Sequence, residues 1–273
     1  MKPIKKVALL HSMCCVGKAS MTNMIPILST MGMEVCPVPT VLLSTHTGGY
    51  GTPAKQEIAP SYLRDCADHF ISNNVHFDAI FVGYLGDISI TSEVKYFLDC
   101  FPDATVIVDP IMGDHGKLYQ NRNAEHAKAY LKLCISADII LPNLTEACLL
   151  QNADYVEIKS VFDVNLLCTK LHEKGVKKMI LTGIAKEDDS IAVMISEKEE
   201  RELLVFPKEA EAFHGTGDVF DAVIVGCILN GDNLKEAALK AHEFTATCIK
   251  ASMECPYPKR EGLLLEKCLS LLV

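Results

Sequence analysis

Positive charge is in short supply in this 273-residue chain: 26 Lys and Arg face 35 Asp and Glu, a formal net charge of −9. A nucleic-acid surface needs clustered Lys and Arg against phosphates, so no nucleic-acid partner is expected. Long hydrophobic runs are missing as well. No uninterrupted apolar stretch reaches membrane-spanning length, which argues for a soluble protein with no membrane partner. Lys2, Lys5 and Lys6 precede only the apolar residues 7–10 before His11 breaks the run, too short for a secretory signal. No Pro/Gly/Ser-rich linker, charge block, low-complexity tract or fixed-period repeat divides the chain, and one domain over residues 1–273 is expected. Although there are twelve cysteines, no two are spaced as CxxC. They read as reduced, mostly buried small hydrophobes of a cytoplasmic protein, a reading favoured over reactivity even at the loop pair Cys14-Cys15.

What the chain does contain is alternation. Short β-prone runs alternate with amphipathic helical patterns, the signature of βαβ units around a parallel sheet. Residues 7–10 read as a first strand, followed by a loop with Gly17, and Ser20 as the N-cap of a helix to Met31 that Gly32 closes. A strand over 34–43 and a helix over 61–73, with Leu63, Ala67, Phe70 and Ile71 on one face, come next. Further strands are expected at 79–82, 105–108, 138–141 and 178–182, with a helix over 89–101. The segments 191–195 and 202–206, joined by the charged turn 196–201, predict an antiparallel edge hairpin. Helices over 217–230 and 234–252 and an amphipathic stretch near 262–272 complete the chain.

The strongest chemical signal is Ala212-Phe213-His214-Gly215-Thr216-Gly217-Asp218, where a loop turns into an apolar helix. Gly215 and Gly217 let backbone amides approach an anion, and the helix start adds its dipole and unpaired N–H groups. Asp218 stands beside that cradle, placed to take a proton from an attacking hydroxyl. Two other phosphate motifs fail: Gly17-Lys18 lacks the earlier glycine and the following Ser or Thr of a P-loop, and Gly215-x-Gly217 lacks the third glycine of a dinucleotide fingerprint. Other strand ends carry complementary groups. Asp109-Pro110-Ile111-Met112-Gly113-Asp114 and Pro142-Asn143-Leu144-Thr145-Glu146-Ala147 bring carboxylates and an amide that organise Mg²⁺ against phosphate oxygens, and Asn143 with Glu146 also fits a helix capping box.

These segments, with Ser44-Thr45-His46-Thr47-Gly48-Gly49 and Gly83-Tyr84-Leu85-Gly86, run in an order that resembles the ribokinase-like superfamily, in its vitamin B6 kinase branch. The resemblance covers essentially the whole chain. It implies a three-layer α/β/α fold with a mostly parallel sheet, an antiparallel edge hairpin and no large separate lid. It further implies ATP-dependent phosphorylation of the hydroxymethyl group of pyridoxal, pyridoxine or pyridoxamine, with Mg²⁺ and a monovalent cation as cofactors, in a homodimer. Asp218 resembles the family's catalytic base, and Gly215, Thr216 and Gly217 its anion hole. Asp109 and Glu146 match residues that organise the metal, with Asn143 beside them. Asn143, Glu146, Asp114, Thr182 and Gly183 match nucleotide contacts, and Ser12, Thr47, Tyr84 and Tyr119 match positions around the vitamer. Leu141 stands where many relatives have Thr. Asp221 stands where a small residue is usual and is expected to face solvent. His11 and His46 read more readily as structural than as substrate contacts. A hydroxymethylpyrimidine kinase and a non-catalytic binder of the same fold are the rival readings; Asp218 stands against the first, and retention of base and anion hole against the second.

Overall fold

The computed structural model describes residues 4–119, 122–155, 160–185 and 190–273; Lys2, cited above, lies outside them. The chain forms two compact units, one running up to Ala104 and resuming at Glu209–Val273, the other spanning Thr105–Lys208.

In the first unit β1 (Lys5–Val16) pairs in parallel with β2 (Met33–Thr45) on one side and with β4 (Ala79–Val82) on the other, and the three-residue β3 (Lys55–Glu57) lies antiparallel on β2. Val7, Ala8, Leu9 and Leu10 are wholly buried, as is every residue of β4. Such unbroken apolar runs fit parallel strands covered on both faces. The first strand continues six residues past the expected 7–10, because its register on β2 shifts between His11 and Ser12 and then holds to Val16. Bulges of this kind re-aim side chains beside functional sites. Cys14 and Cys15 therefore lie on a strand rather than in a loop; Cys14 is buried, which pushes its thiol up to about 12, while Cys15 is exposed. All twelve cysteines are free thiols.

Helices α1 (Met21–Thr30), α2 (Ser61–Ser72), α3 (Thr91–Cys100), α7 (Thr216–Asn230) and α8 (Leu234–Met253) belong to this unit. Helix α2 buries Leu63 and Ala67, but Ile71 is exposed, so the apolar face is narrower than its spacing suggested. Packing between α2 and α3 is aromatic: Phe77 and Phe97 both lie against Phe101, with ring centroids 4.9 and 5.1 Å away, and Phe70 meets Phe77 edge-on at 5.7 Å. Helix α7 is apolar on all sides and packs against both α1 and α8, which is why Asp221 is buried and not solvent-facing. Asn233 and Glu236 form a reciprocal capping box at the start of α8. The stretch near 262–272 is not an α-helix; it folds as short 3-10 turns at Leu265–Lys267 and Leu269–Leu272.

In the second unit β5 (Thr105–Val108), β8 (Ile139–Ile140) and β9 (Lys178–Ala185) are parallel neighbours, and β10 (Ser190–Glu197) and β11 (Glu200–Pro207) extend the sheet antiparallel. The edge hairpin is the expected one with a tighter turn, Lys198 taking a positive φ. A small ribbon, β6 (Gly113–Asp114) with β7 (Lys117–Leu118), follows β5. Helices α4 (Ala124–Ser136), α5 (Leu144–Gln151) and α6 (Val161–Glu173) complete the unit, each opened by a side-chain cap from Asn123, Asn143 or Ser160. Among the described residues no helix is long and apolar enough to cross a membrane.

Phe97 is fully buried against three other phenylalanines, Phe70, Phe77 and Phe101. Replacing it with Ala is expected to lower the unfolding free energy by about 3–5 kcal/mol, read as a shift of the urea-denaturation midpoint.

Candidate active site

In the first unit the phosphate-loop candidate sits where α7 begins. Gly215 is the N-cap, with φ of 78°, and a Cβ there would lie 2.2 Å from the Lys18 carbonyl oxygen and 2.4 Å from Asn23 Nδ2. Only glycine fits both the conformation and the space. Wholly buried Asn23 donates from Nδ2 to the carbonyls of Lys18 (3.1 Å) and Gly215 (3.0 Å), tying the loop after β1 to the glycine loop. The Thr216 hydroxyl donates to the Phe213 carbonyl at 2.8 Å. Around Gly217, by contrast, a Cβ would meet nothing within 4 Å. The cradle is therefore rigid at Gly215 and open at Gly217, at a helix start whose first N–H groups have no partner within the helix.

Asp218, in the first turn of α7, is held at both oxygens. Oδ1 lies 3.0 Å from His11 Nε2, and Oδ2 accepts the Ser20 backbone N–H at 2.7 Å; the side chain is 11% exposed. Ser20 occupies the N-cap position of α1 but makes no side-chain cap. Its backbone is at φ 59°, ψ −135°, and its hydroxyl pairs with that of Ser12 at 2.6 Å. A non-glycine residue held there costs on the order of 1–3 kcal/mol. Ser12 and the ring of His11 are buried, and Tyr84 packs on Cys14, Ala19, Val41 and Leu43 while its backbone N–H reaches His11 Nδ1 at 3.1 Å. Ser12 and Tyr84 are thus linked to Asp218 through His11 and Ser20. Thr47 is exposed in the next turn, whose anchor is His46: Nδ1 accepts the Gly48 N–H at 3.0 Å, Nε2 lies 2.6 Å from the Arg260 carbonyl, and the ring is 4.9 Å from that of His214.

The second unit collects the other candidates. Asp109 directly follows β5 and is 8% exposed. Asn143 and Glu146 form the expected capping box of α5 (2.9 Å in each direction), and Asn143 Nδ2 also donates to the Gly113 carbonyl at 2.9 Å. Glu146 is buried and accepts the backbone N–H groups of Asn143, Met112 and Gly113. Burial, reinforced by the Asp109 carboxylate, raises its carboxyl well above the usual range, against the pull of those three donors. Thr182 donates its N–H to the Pro142 carbonyl at 3.0 Å, and Gly183, at φ 73°, lies against Asn143 and Leu144. Asp109, Asn143, Glu146, Thr182 and Gly183 are thereby brought together. Asp114 and Tyr119 are not part of that cluster: Asp114 is exposed on the β6–β7 ribbon and accepts the His115 N–H, and Tyr119, 43% exposed, donates its N–H to the Met112 carbonyl. Among the described residues no group of three or more His, Cys, Asp or Glu is arranged to hold a metal by itself.

Known proteins with this geometry decide the family. A family profile described as phosphomethylpyrimidine kinase matches residues 25–260. The chain belongs to the ribokinase-like vitamin B6 kinase family. It is 29% identical over 222 residues to a pyridoxal kinase of Arabidopsis thaliana, covering 77% of this chain and 70% of that protein. A Bacteroides thetaiotaomicron protein crystallised with pyridoxal, provisionally assigned as a phosphomethylpyrimidine kinase, superposes with a TM-score of 0.92 at 34% identity, over 98% of this chain and 96% of its own. The pyridoxal kinase of Lactobacillus plantarum superposes with a TM-score of 0.90 at 27% identity, over 98% and 96%. The family carries with it the ribokinase-like α/β fold, with mostly parallel strands and an antiparallel hairpin.

The contacts that sequence reasoning missed are His11, Ser20 and Asn23. Nothing local marks them; their partners are 207, 198 and 192 residues away.

Replacing Glu146 with Ala leaves three backbone N–H groups without their acceptor and is expected to lower stability by about 2–4 kcal/mol. Because the folded-state value of Glu146 is raised, its contribution is complete below the unfolded carboxyl range and fades as pH climbs through the raised value. Urea denaturation at pH 5 and pH 8 is expected to show a larger deficit for Glu146→Ala at pH 5.

Proposed function

We infer that this protein phosphorylates the 5′-hydroxymethyl group of a vitamin B6 vitamer with ATP, giving the 5′-phosphate and ADP. The observation that carries this reading is the loop Gly215-Thr216-Gly217-Asp218: a carboxylate oriented at both oxygens, beside a glycine cradle left open at Gly217. Phosphoryl transfer is mainly alignment and charge stabilisation, so a base, an amide cradle and charge-neutralising groups suffice. The hydroxymethyl oxygen attacks the γ-phosphorus while Asp218 accepts its proton; the bond from phosphorus to the bridging oxygen breaks and ADP leaves. Amides of Gly215, Thr216 and Gly217 stabilise the charge on the transferring phosphoryl oxygens.

Asn143, Thr182 and Gly183, together on the second unit, would contact the nucleotide, and Asp114 would do so from the β6–β7 ribbon. Two neighbouring buried carboxylates, one raised by its burial and then by the charge of the other, fit a divalent cation: Asp109 and Glu146 would hold Mg²⁺, through its waters where Glu146 is already engaged by amides. When bound, that ion neutralises phosphate charge. Ser12, Thr47 and Tyr84, on the first unit, would line the vitamer. The chain is proposed to act as one kinase domain, in the cytoplasm, as a homodimer.

A hydroxymethylpyrimidine kinase is the second reading, favoured by the description of the matching family profile. Against it stand the curated pyridoxal kinase relatives.

ADP release with Mg²⁺ and ATP, measured on the three B6 vitamers, hydroxymethylpyrimidine and ribose, separates the two. A vitamer is expected to exceed hydroxymethylpyrimidine by at least about tenfold in kcat/KM, a margin of roughly 1.4 kcal/mol in transition-state binding; the reverse order selects the second reading, and no turnover on any of them leaves a binding protein. Asp218→Asn is expected to lower kcat by about 10²–10⁴ with a smaller change in KM. Near-normal turnover by that variant would remove Asp218 as the base.

A further inference from the structure

We propose that His11 is the positioning residue of the phosphoryl-transfer base: a neutral imidazole, locked in one tautomer by two backbone amides, that aims the Asp218 carboxylate at the substrate hydroxyl. The proposal rests on the reading of Asp218 as the base.

The tautomer follows from donors that have no choice. His11 Nδ1 lies 2.8 Å from the Ser12 amide nitrogen and 3.1 Å from that of Tyr84. A backbone N–H only donates, so Nδ1 is the acceptor and the ring proton resides on Nε2. Nε2 is 3.0 Å from Asp218 Oδ1 and therefore donates to it. The ring cannot turn away. It is wholly buried, it lies across Gly83, where a Cβ would come within 2.7 Å of it, and it abuts the Phe81 ring at 5.8 Å. Its orientation is thus set by β1, by Gly83 and Tyr84 and by their amides, and not by Asp218 itself.

The second oxygen is fixed from a different element. The Ser20 N–H points at Asp218 Oδ2, and the Ser20 backbone is kept in its left-handed conformation while its hydroxyl pairs with Ser12. One donor on each oxygen stops rotation of the carboxylate and leaves further lone pairs on both for a substrate proton. A base oriented in this way is worth its effect in kcat: misplacement by an ångström costs up to about a hundredfold in rate. Because His11 touches neither cradle nor nucleotide cluster among the contacts described, ground-state binding is expected to be nearly indifferent to it.

Steady-state kinetics of the full chain with pyridoxal and Mg²⁺ATP test this with His11→Asn, His11→Gln, His11→Leu, Asp218→Ala and the double variant His11→Leu/Asp218→Ala. Asn keeps an acceptor for the two amides but is too short to reach Asp218, so His11→Asn is expected to lose about 10–100-fold in kcat with each KM within about threefold. Gln restores a donor at the Nε2 position, and His11→Gln is expected to recover to within about fivefold of the unaltered protein. The double variant is expected to be no slower than Asp218→Ala alone, since a residue acting only through Asp218 has nothing left to position. His11→Asn with unaltered kcat overturns the proposal, and so does a His11→Leu loss of the same factor with and without Asp218. If His11→Leu does not fold, the double variant is built with His11→Asn instead. An Asp218→Ala protein that turns over normally overturns the reading of the base itself, whatever His11 does.

Discussion

The proposed catalytic geometry depends on a single carboxylate held from two directions. Asp218 belongs to α7, but its oxygens are claimed by the ring of His11 from β1 and by the amide of Ser20 at the entry to α1. For that grip to exist, β1 must slip register between His11 and Ser12, Gly83 must leave room for an imidazole, and Ser20 must accept a backbone conformation better suited to glycine. Each is a local cost. They are sustained because α1 and α7 pack on one another and Asn23 stitches the two loops together.

The second unit solves a different problem, the burial of negative charge. Glu146 lies out of water next to Asp109, a placement that burial and like charge both oppose. Three backbone amides partly compensate, and through them the same carboxylate fixes the start of α5 and the turn after β5. A residue that organises metal and phosphate in the proposed reaction is thus also the one that shapes the loop around them. The proposed function and the local stability would rest on the same hydrogen bonds there.

Much of this was legible in the chain. Residues 79–82 and 105–108 are strands at the expected bounds, because short apolar runs between polar breaks leave little choice. The hairpin was readable from its charged turn, and Asn143 with Glu146 from capping-box spacing. The misreadings share a cause. The first strand ran on past His11, Ser20 spent its hydroxyl on Ser12 rather than on a cap, and Asp221 was buried by helices packed on both sides of α7. In each case a partner distant in sequence outweighed a local preference.

The sequence by itself determined the alternation of strands and helices, the glycine turn ahead of α7, the carboxylate beside it and the family to which their order belongs. Those are properties of neighbours along the chain, where conformational preference and spacing act directly. Only the tertiary structure decided which groups hold that carboxylate. His11 has no meaning as a histidine at a strand end until Ser12 and Tyr84 fix its tautomer and α7 brings Asp218 to its Nε2, a contact across 207 residues. Such a contact carries no periodicity or spacing for a sequence to display; it arises when packing brings the two groups within hydrogen-bond distance.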